Sequence, residues 1–164
     1  MRKYKVFISY AREESNVKDN IISYLKPLSD NDRLEIWHDR EMSAGDRFDD
    51  VIRNKLLESD IVIFLLSQSF LNSDYCRKVE EEIALQRYKD NENDLFRIIP
   101  IIASKCHYKN SELQHFNMPL DAKSIKEYNG EAYFDISKEI EGVIDILDDS
   151  SSYKKTPLVL LSRA

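Results

Sequence analysis

Short apolar runs alternate along the chain with apolar residues spaced as on one face of a helix. The runs have strand length and lie at residues 4–9, 33–37, 60–66 and 97–103. Helical spacing is marked by Val17, Ile21, Leu25 and Leu28, then by Phe48, Val51, Ile52 and Leu56, and near the end by Ile136, Ile140, Val143, Ile144 and Leu147. The stretch FLNSDYCRKVEEEIALQR predicts a further helix after the third run.

This alternation predicts an α/β fold, a flavodoxin-like three-layer sandwich of about five parallel strands with helices on both faces. The run 60–66 is apolar throughout, as expected of a fully buried parallel strand. Pro100 indicates a strand end or a sheet edge. One more short strand is expected around 124–126.

In the flavodoxin-like order the first and third strands are neighbours, so their carboxyl ends should frame a cleft. The carboxyl end of the first strand carries Ser9, Tyr10, Ala11 and Arg12, and that of the third carries residues 67–70. The glutamate-rich helix comes directly after the third strand and should border the same cleft.

Three consecutive glutamates in that helix raise the question of which one points inward. With steps of about 100° from Cys76, Glu80 lies about 40° from it, on the flank of the apolar stripe. Glu81 and Glu82 fall on the opposite side, so we expect both to be surface acids. Glu80 fits a salt bridge to a neighbouring helix, a simple boundary position, or a cleft carboxylate with a raised pKa that serves catalysis.

Composition narrows the classes of function. The 164 residues fit one domain, expected at 1–148, followed at 149–164 by a linker or tail that leads toward a further domain. The net charge of −6 disfavours a nucleic-acid partner. Three glycines cannot form a GxGxxG fingerprint or a Walker A loop. Two cysteines and no long apolar segment indicate a cytoplasmic protein without membrane contact.

Other enzyme chemistries find little support in the residue pattern. The three histidines show no metal-ligand spacing with the two cysteines, and no GxSxG elbow is present, so no metal site or serine nucleophile is expected. A phospho-acceptor receiver domain would share the fold class. It needs paired acids before its first helix, which Glu13 and Glu14 imitate only weakly.

Four segments together resemble Toll/interleukin-1 receptor (TIR) domains. VFISYAREES resembles their box 1, and WHDREMSAGDRFDDVI resembles their second strand and the following BB loop. SDIVIFLLSQSFLNSDYCRKVEEE is similar to their third strand and the helix that bears the family's catalytic glutamate. IIPIIASKCHYKN is similar to the fourth strand and following turn of bacterial members. These segments stand in family order and span residues 4–147.

The resemblance implies an NAD+ glycohydrolase that cleaves the nicotinamide–ribose bond and releases nicotinamide with ADP-ribose or cyclic ADP-ribose. NAD+ would be the substrate, and neither a cofactor nor a metal is implied. Glu80 would be the catalytic residue. Receptor-type members have one residue fewer between the cysteine and the glutamate, whereas bacterial members often share the longer spacing found here.

The resemblance also implies a set of substrate-binding residues. They are Ser9, Tyr10, Arg12, Trp37, Asp39, Gly45, Asp46, Tyr75 and Cys76. Arg12 suits contact with phosphate, and Gly45, in the BB-loop region with Asp39 and Asp46, is expected to adopt a positive φ. Two alternatives stay open, since Trp37 fits a core ring as well as a base-stacking one, and Cys76 fits a small buried apolar residue.

Assembly is the last implication of the resemblance. Bacterial members commonly act in antiphage defence by draining NAD+, and they become active when the BB loop of one domain completes its neighbour's site. We therefore expect self-association through TIR–TIR contacts and a fused or separate sensor domain. The competing function is a non-catalytic TIR–TIR interaction or signalling module. The inward-facing Glu80 and the intact SYAR segment favour the enzyme.

Overall fold

Four parallel strands form one sheet in the computed structural model, which describes residues 2–37, 45, 47–90 and 95–153. The strands are β1 (Tyr4–Ser9), β2 (Leu34–Trp37), β3 (Ile61–Leu66) and β4 (Arg97–Ile102). Their order is β2-β1-β3-β4, and every pairing is parallel. Each apolar run of strand length is thus a strand, and β1 lies beside β3 as expected.

Within the described residues, five α-helices accompany these strands. They are α1 (Ser15–Asp30), α2 (Phe48–Glu58), α3 (Gln68–Asn72), α4 (Glu82–Asp90) and α5 (Ala132–Tyr153). A π-helical segment, Cys76–Glu81, leads directly into α4. Short 3-10 turns occur at Arg12–Glu14, Tyr108–Asn110, Glu112–His115 and Pro119–Ala122. The closing helix α5 continues to Tyr153, past the expected domain end at 148.

Successive residues of β3 point to opposite faces of the sheet and supply two separate cores. Ile61, Ile63 and Leu65 belong to the core that α1 and α5 cover. Val62, Phe64 and Leu66 belong to the core under α2 and α4. The described residues therefore confirm the three-layer α/β sandwich with helices on both faces.

The fifth strand expected around 124–126 does not form, which corrects the sequence prediction. The Ile125 amide donates one hydrogen bond to the Ile102 carbonyl at 2.9 Å, as an added strand would. The chain then turns away, because the Ser124 carbonyl accepts from the amides of Glu127 and Tyr128 at 3.1 and 3.0 Å. One bond to β4 is all that remains of a fifth strand here.

Pro100 lies within β4, which is an edge strand of the described sheet, so the edge alternative is the correct one. The Ala103 amide donates toward β3, to the Leu66 carbonyl at 2.8 Å, whereas the Ile102 carbonyl faces outward. Alternate residues of a strand direct their polar groups to opposite sides, so Pro100 shares the outward side with Ile102. The missing N–H therefore costs the ladder no hydrogen bond.

The length and polarity of the helices also bear on the membrane. None of the helices formed by residues that the structure describes has the length and apolar character needed to cross a bilayer.

Replacing Leu65 by alanine should lower the free energy of unfolding by about 3 kcal/mol, because the site is a closed core position where a cavity remains. Leu57→Ala is the matched control on a side chain that is 44% exposed, and should change stability by less than about 0.5 kcal/mol. Urea denaturation checks both. Equal losses in the two variants would contradict the assignment of β3 to the sheet centre.

Candidate functional site

A cleft of about 530 Å³ opens where β1 and β3 end, at the place expected from the strand order. The loop after β1 forms one wall, and the region from α3 to the start of the π-helical segment forms the other. The lining residues are Tyr10, Ala11, Arg12, Glu13, Ser69, Asn72, Ser73 and Cys76. Three of the expected site residues, Tyr10, Arg12 and Cys76, are thus brought together from distant parts of the chain.

Ser9, the last residue of β1, is buried. Its Oγ has no hydrogen-bond partner among the residues that the structure describes. A buried hydroxyl without a partner is costly, and such groups in native folds call for an explanation. Ser9 thus carries unused hydrogen-bonding capacity directly before the cleft wall.

The π-helical segment is tied to the opposite wall of the cleft. The Cys76 thiol donates to the carbonyl of Tyr10 across 3.8 Å, and the Cys76 amide donates to Ser73 Oγ at 3.2 Å. Cys76 is buried, as the apolar alternative had it, and it also borders the cleft. Cys76 is both buried and next to the cleft because it lies where the π-helical segment passes under the loop after β1.

Glu80 and Glu81 are both buried, with only 7% and 5% of their surface exposed, whereas Glu82 is exposed. The expectation that Glu81 is a surface acid is therefore wrong. The inward position of Glu80 and the outward position of Glu82 are confirmed. Glu80 is not among the residues that line the cleft, so its role there stays a prediction.

The cause is the helix type. A π-helix bonds i to i+5 and has about 4.4 residues per turn, so each step is about 82° rather than 100°. Over Cys76–Glu81 this places Glu80 and Glu81 about 30° and 50° to either side of Cys76. The side chains of Glu80 and Glu81 therefore both point into the protein interior. A wheel drawn at α-helical steps cannot show this.

The Glu81 carboxylate is held by two partners. Ser111 donates its hydroxyl to Oε1, and Arg77 donates from Nε to Oε2 at 3.3 Å. Ser111 is itself buried and comes from the segment after β4. Glu81 therefore joins the π-helical segment to a distant part of the chain.

The remaining expected site residues take various positions. Trp37 is a core residue whose ring stacks on Phe7 with centroids 5.1 Å apart, so a base-stacking role stays a prediction. Tyr75 packs against the ring of Phe48 at 5.1 Å. Gly45 has the expected positive φ, 91°. Asp39 and Asp46 lie outside the described residues.

A buried lysine beside the cleft was missed by the sequence reasoning. Lys18 is 1% exposed, with Nζ 2.7 Å from Asp19 Oδ1 and 5.1 Å from the centre of the Tyr10 ring. The cation holds this ring by cation–π attraction and so steadies one cleft wall. Lys18 precedes Ile21 by three residues and Leu25 by seven, and this spacing on the apolar stripe was the available signal.

The Cys106 thiol is poorly suited to nucleophilic chemistry. Burial raises its pKa, the backbone hydrogen bond with Tyr108 opposes this, and the charge of Glu14 raises the pKa further. The thiol form is thereby favoured over the nucleophilic thiolate. Cys106 is therefore a poor candidate for a nucleophile.

Comparison with known proteins identifies matches that cover most of this chain. A family model described as TIR domain matches residues 6–136. The uncharacterized protein y4lF of Sinorhizobium fredii is 30% identical over 138 residues, which are 82% of this chain. The chain spans 42% of the length of that relative.

Several solved structures are similar to this chain, and two of them are a TIR domain and a SEFIR domain. The TIR domain of the Toll-related receptor TRR-2 from Hydra magnipapillata is 20% identical with a TM-score of 0.57, over 89% of this chain and 97% of that one. A prokaryotic SEFIR domain is 20% identical with a TM-score of 0.49, over 86% and 92% of the two chains. The Hydra structure supports the fold described above.

Alkylation of Cys106 by iodoacetamide should require a higher pH in the folded protein than in urea, because a raised pKa leaves less thiolate at any pH between the two values. Peptide mass spectrometry across a pH series measures the rate. Buried Cys76, quantified in the same digest, serves as the control for global unfolding. The same pH midpoint in folded and unfolded protein would contradict the effect of burial.

Proposed function

The chain belongs to the TIR domain family, and on that premise we propose that it is an NAD+ glycohydrolase that cleaves the nicotinamide–ribose bond, with Glu80 as the catalytic residue. The family includes both NAD-cleaving enzymes and non-catalytic adaptors. The observation that carries the proposal is the burial of Glu80 on a π-helical segment that begins at the cleft, at Cys76. π-helical segments occur frequently at functional sites.

Burial of a carboxylate is costly in itself, because the charge leaves water. A solubilising acid would face solvent, as Glu82 does. The chain instead retains an acid at position 80, on a segment that begins at a cleft lined by hydroxyl, amide, guanidinium and carboxylate groups. Such an arrangement is typical of a site where a carboxylate stabilises charge that develops during a reaction.

The chemistry of NAD+ suits one carboxylate. When the C1′–N bond breaks, its electron pair neutralises the nicotinamide ring and leaves an oxocarbenium-like ribose. The Glu80 carboxylate would stabilise this positive charge and orient the sugar, as carboxylates do in glycoside hydrolysis. Water then bonds to C1′ and loses a proton to give ADP-ribose, or a nucleophile within ADP-ribose closes a cyclic product. NAD+ is a substrate in this scheme, so no cofactor is consumed.

Residues of the cleft are suited to the rest of the substrate. The exposed Arg12 guanidinium in the cleft wall fits the diphosphate, which a planar cation binds through paired hydrogen bonds. Ser9 Oγ offers hydrogen-bonding capacity at the end of β1. We further propose that Tyr10, Tyr75 and Cys76 wall the nicotinamide–ribose side.

Roles for Trp37, Asp39, Gly45 and Asp46 are proposed on family resemblance. Trp37 would act at the end of β2, and the other three within the BB loop that follows it. The positive φ of Gly45 suits a tight turn in that loop.

TIR domains generally self-associate through TIR–TIR contacts. We propose that assembly switches on the activity of this chain in the cytoplasm, under a fused or separate sensor, and that NAD+ depletion serves antiphage defence. An apolar groove of about 490 Å³ beside the edge strand β4, with Ile146 54% exposed, is compatible with such contacts. The same groove also suits a purely non-catalytic signalling module, which is the alternative function.

Wild-type protein at high concentration should release nicotinamide from NAD+, and Glu80→Gln should reduce that rate by roughly 100-fold or more, because the neutral amide cannot stabilise the developing charge. Glu82→Gln is the matched control, since Glu82 is exposed and should retain wild-type activity. Nicotinamide is quantified by chromatography.

Equal rates in the three proteins would remove Glu80 from the reaction. Absence of activity in the wild type, even when domains are crowded or fused, would favour the interaction module instead.

A further inference from the structure

Glu81 occupies a position that a helix surface acid would not take. Its carboxylate is buried, with Ser111 donating to one oxygen and Arg77 donating to the other. Neither bond contributes to the cleft, because Arg77 and Glu81 line a separate groove between α2 and α4. The proposed reaction therefore leaves this buried acid without a role.

The Ser111 side chain is a fixed anchor. Its Oγ also accepts a hydrogen bond from the Leu113 amide at 3.1 Å and so caps the short turn Glu112–His115. Leu113 in turn is fully buried in the core under α2 and α4. Glu81 is consequently bound to a hydroxyl that cannot easily move.

Both ends of the π-helical segment are thus held. Cys76 at the first position bonds to the Tyr10 carbonyl, and Glu81 at the last position bonds to Ser111. Without such restraints, a π-helical segment is less favourable than continuous α-helix. Relaxation to α-helical steps would turn residue 80, relative to Cys76, by about 70°.

From this geometry we infer that Glu81 is a positioning residue: its bonds to Ser111 and Arg77 maintain the π-helical segment and thereby set the direction of the Glu80 carboxylate. The inference rests on the proposed function for its catalytic consequence. Its structural content, that the clamp at Glu81 maintains the segment, is independent of NAD+.

The kinetic test uses Glu81→Gln, the milder Ser111→Ala, and their double variant, with exposed Glu82→Gln as the control. Rates of nicotinamide release are measured well below the melting temperature of each variant. We expect kcat to fall about tenfold or more in Glu81→Gln with KM changed less than about twofold, because binding survives while the acid is misdirected. The kcat of the double variant should be no lower than that of Glu81→Gln, since both substitutions disrupt the same contact between Ser111 and Glu81.

A purely structural role predicts a different result. Melting temperatures would fall, yet kcat per folded molecule would equal that of the wild type, and this outcome overturns the inference.

A second measurement does not depend on activity. Hydrogen–deuterium exchange of the amides at 76–81 should accelerate in Glu81→Gln and Ser111→Ala but not in Glu82→Gln. Faster exchange in the two clamp variants, combined with a wild type that does not cleave NAD+, would overturn the proposed function and support the clamp. Unchanged exchange in both clamp variants would overturn the inference whatever the activity.

Discussion

The π-helical segment Cys76–Glu81 is the constraint on which the proposed site depends. Its wide turn directs two consecutive carboxylates, Glu80 and Glu81, into the protein, where a regular helix would bury only one. Burying both costs desolvation energy, which hydrogen bonds such as those from Ser111 and Arg77 to Glu81 offset. The segment is therefore a feature that the surrounding fold maintains.

The sheet supplies the place where that segment can act. Because β1 and β3 are parallel neighbours, their carboxyl ends open on one edge, and the chain leaving β3 returns past the loop that leaves β1. The contact from Cys76 to Tyr10 is the point where the two meet. Lys18 steadies the same wall by packing over the Tyr10 ring. The contacts that complete the fold at this edge of the sheet are therefore also the contacts that build the cleft.

Much of the fold was predictable because the residue types of a strand indicate how deeply it is buried. β3 is apolar at every position, as expected of a fully buried strand, and Pro100 indicated a strand end or the sheet edge. The cleft followed from strand order. The position of Glu81 was not predictable, since a helical wheel assumes one constant step and the π-turn arises from tertiary contacts. The strand predicted at 124–126 was wrong for a similar reason, because a local pattern does not reveal how the chain turns after one bond to β4. Lys18, in contrast, could have been found from its place on the apolar stripe of α1.

The role of Glu80 in NAD+ cleavage is tested most directly by a crystal structure of the Glu80→Gln variant with NAD+ bound. The nicotinamide–ribose C1′ should lie within about 3.5 Å of the residue 80 side chain, the distance of a reacting contact. The diphosphate should lie near Arg12, in the cleft between the ends of β1 and β3. NAD+ bound in the groove between α2 and α4, or with its ribose remote from residue 80, would contradict that role of Glu80.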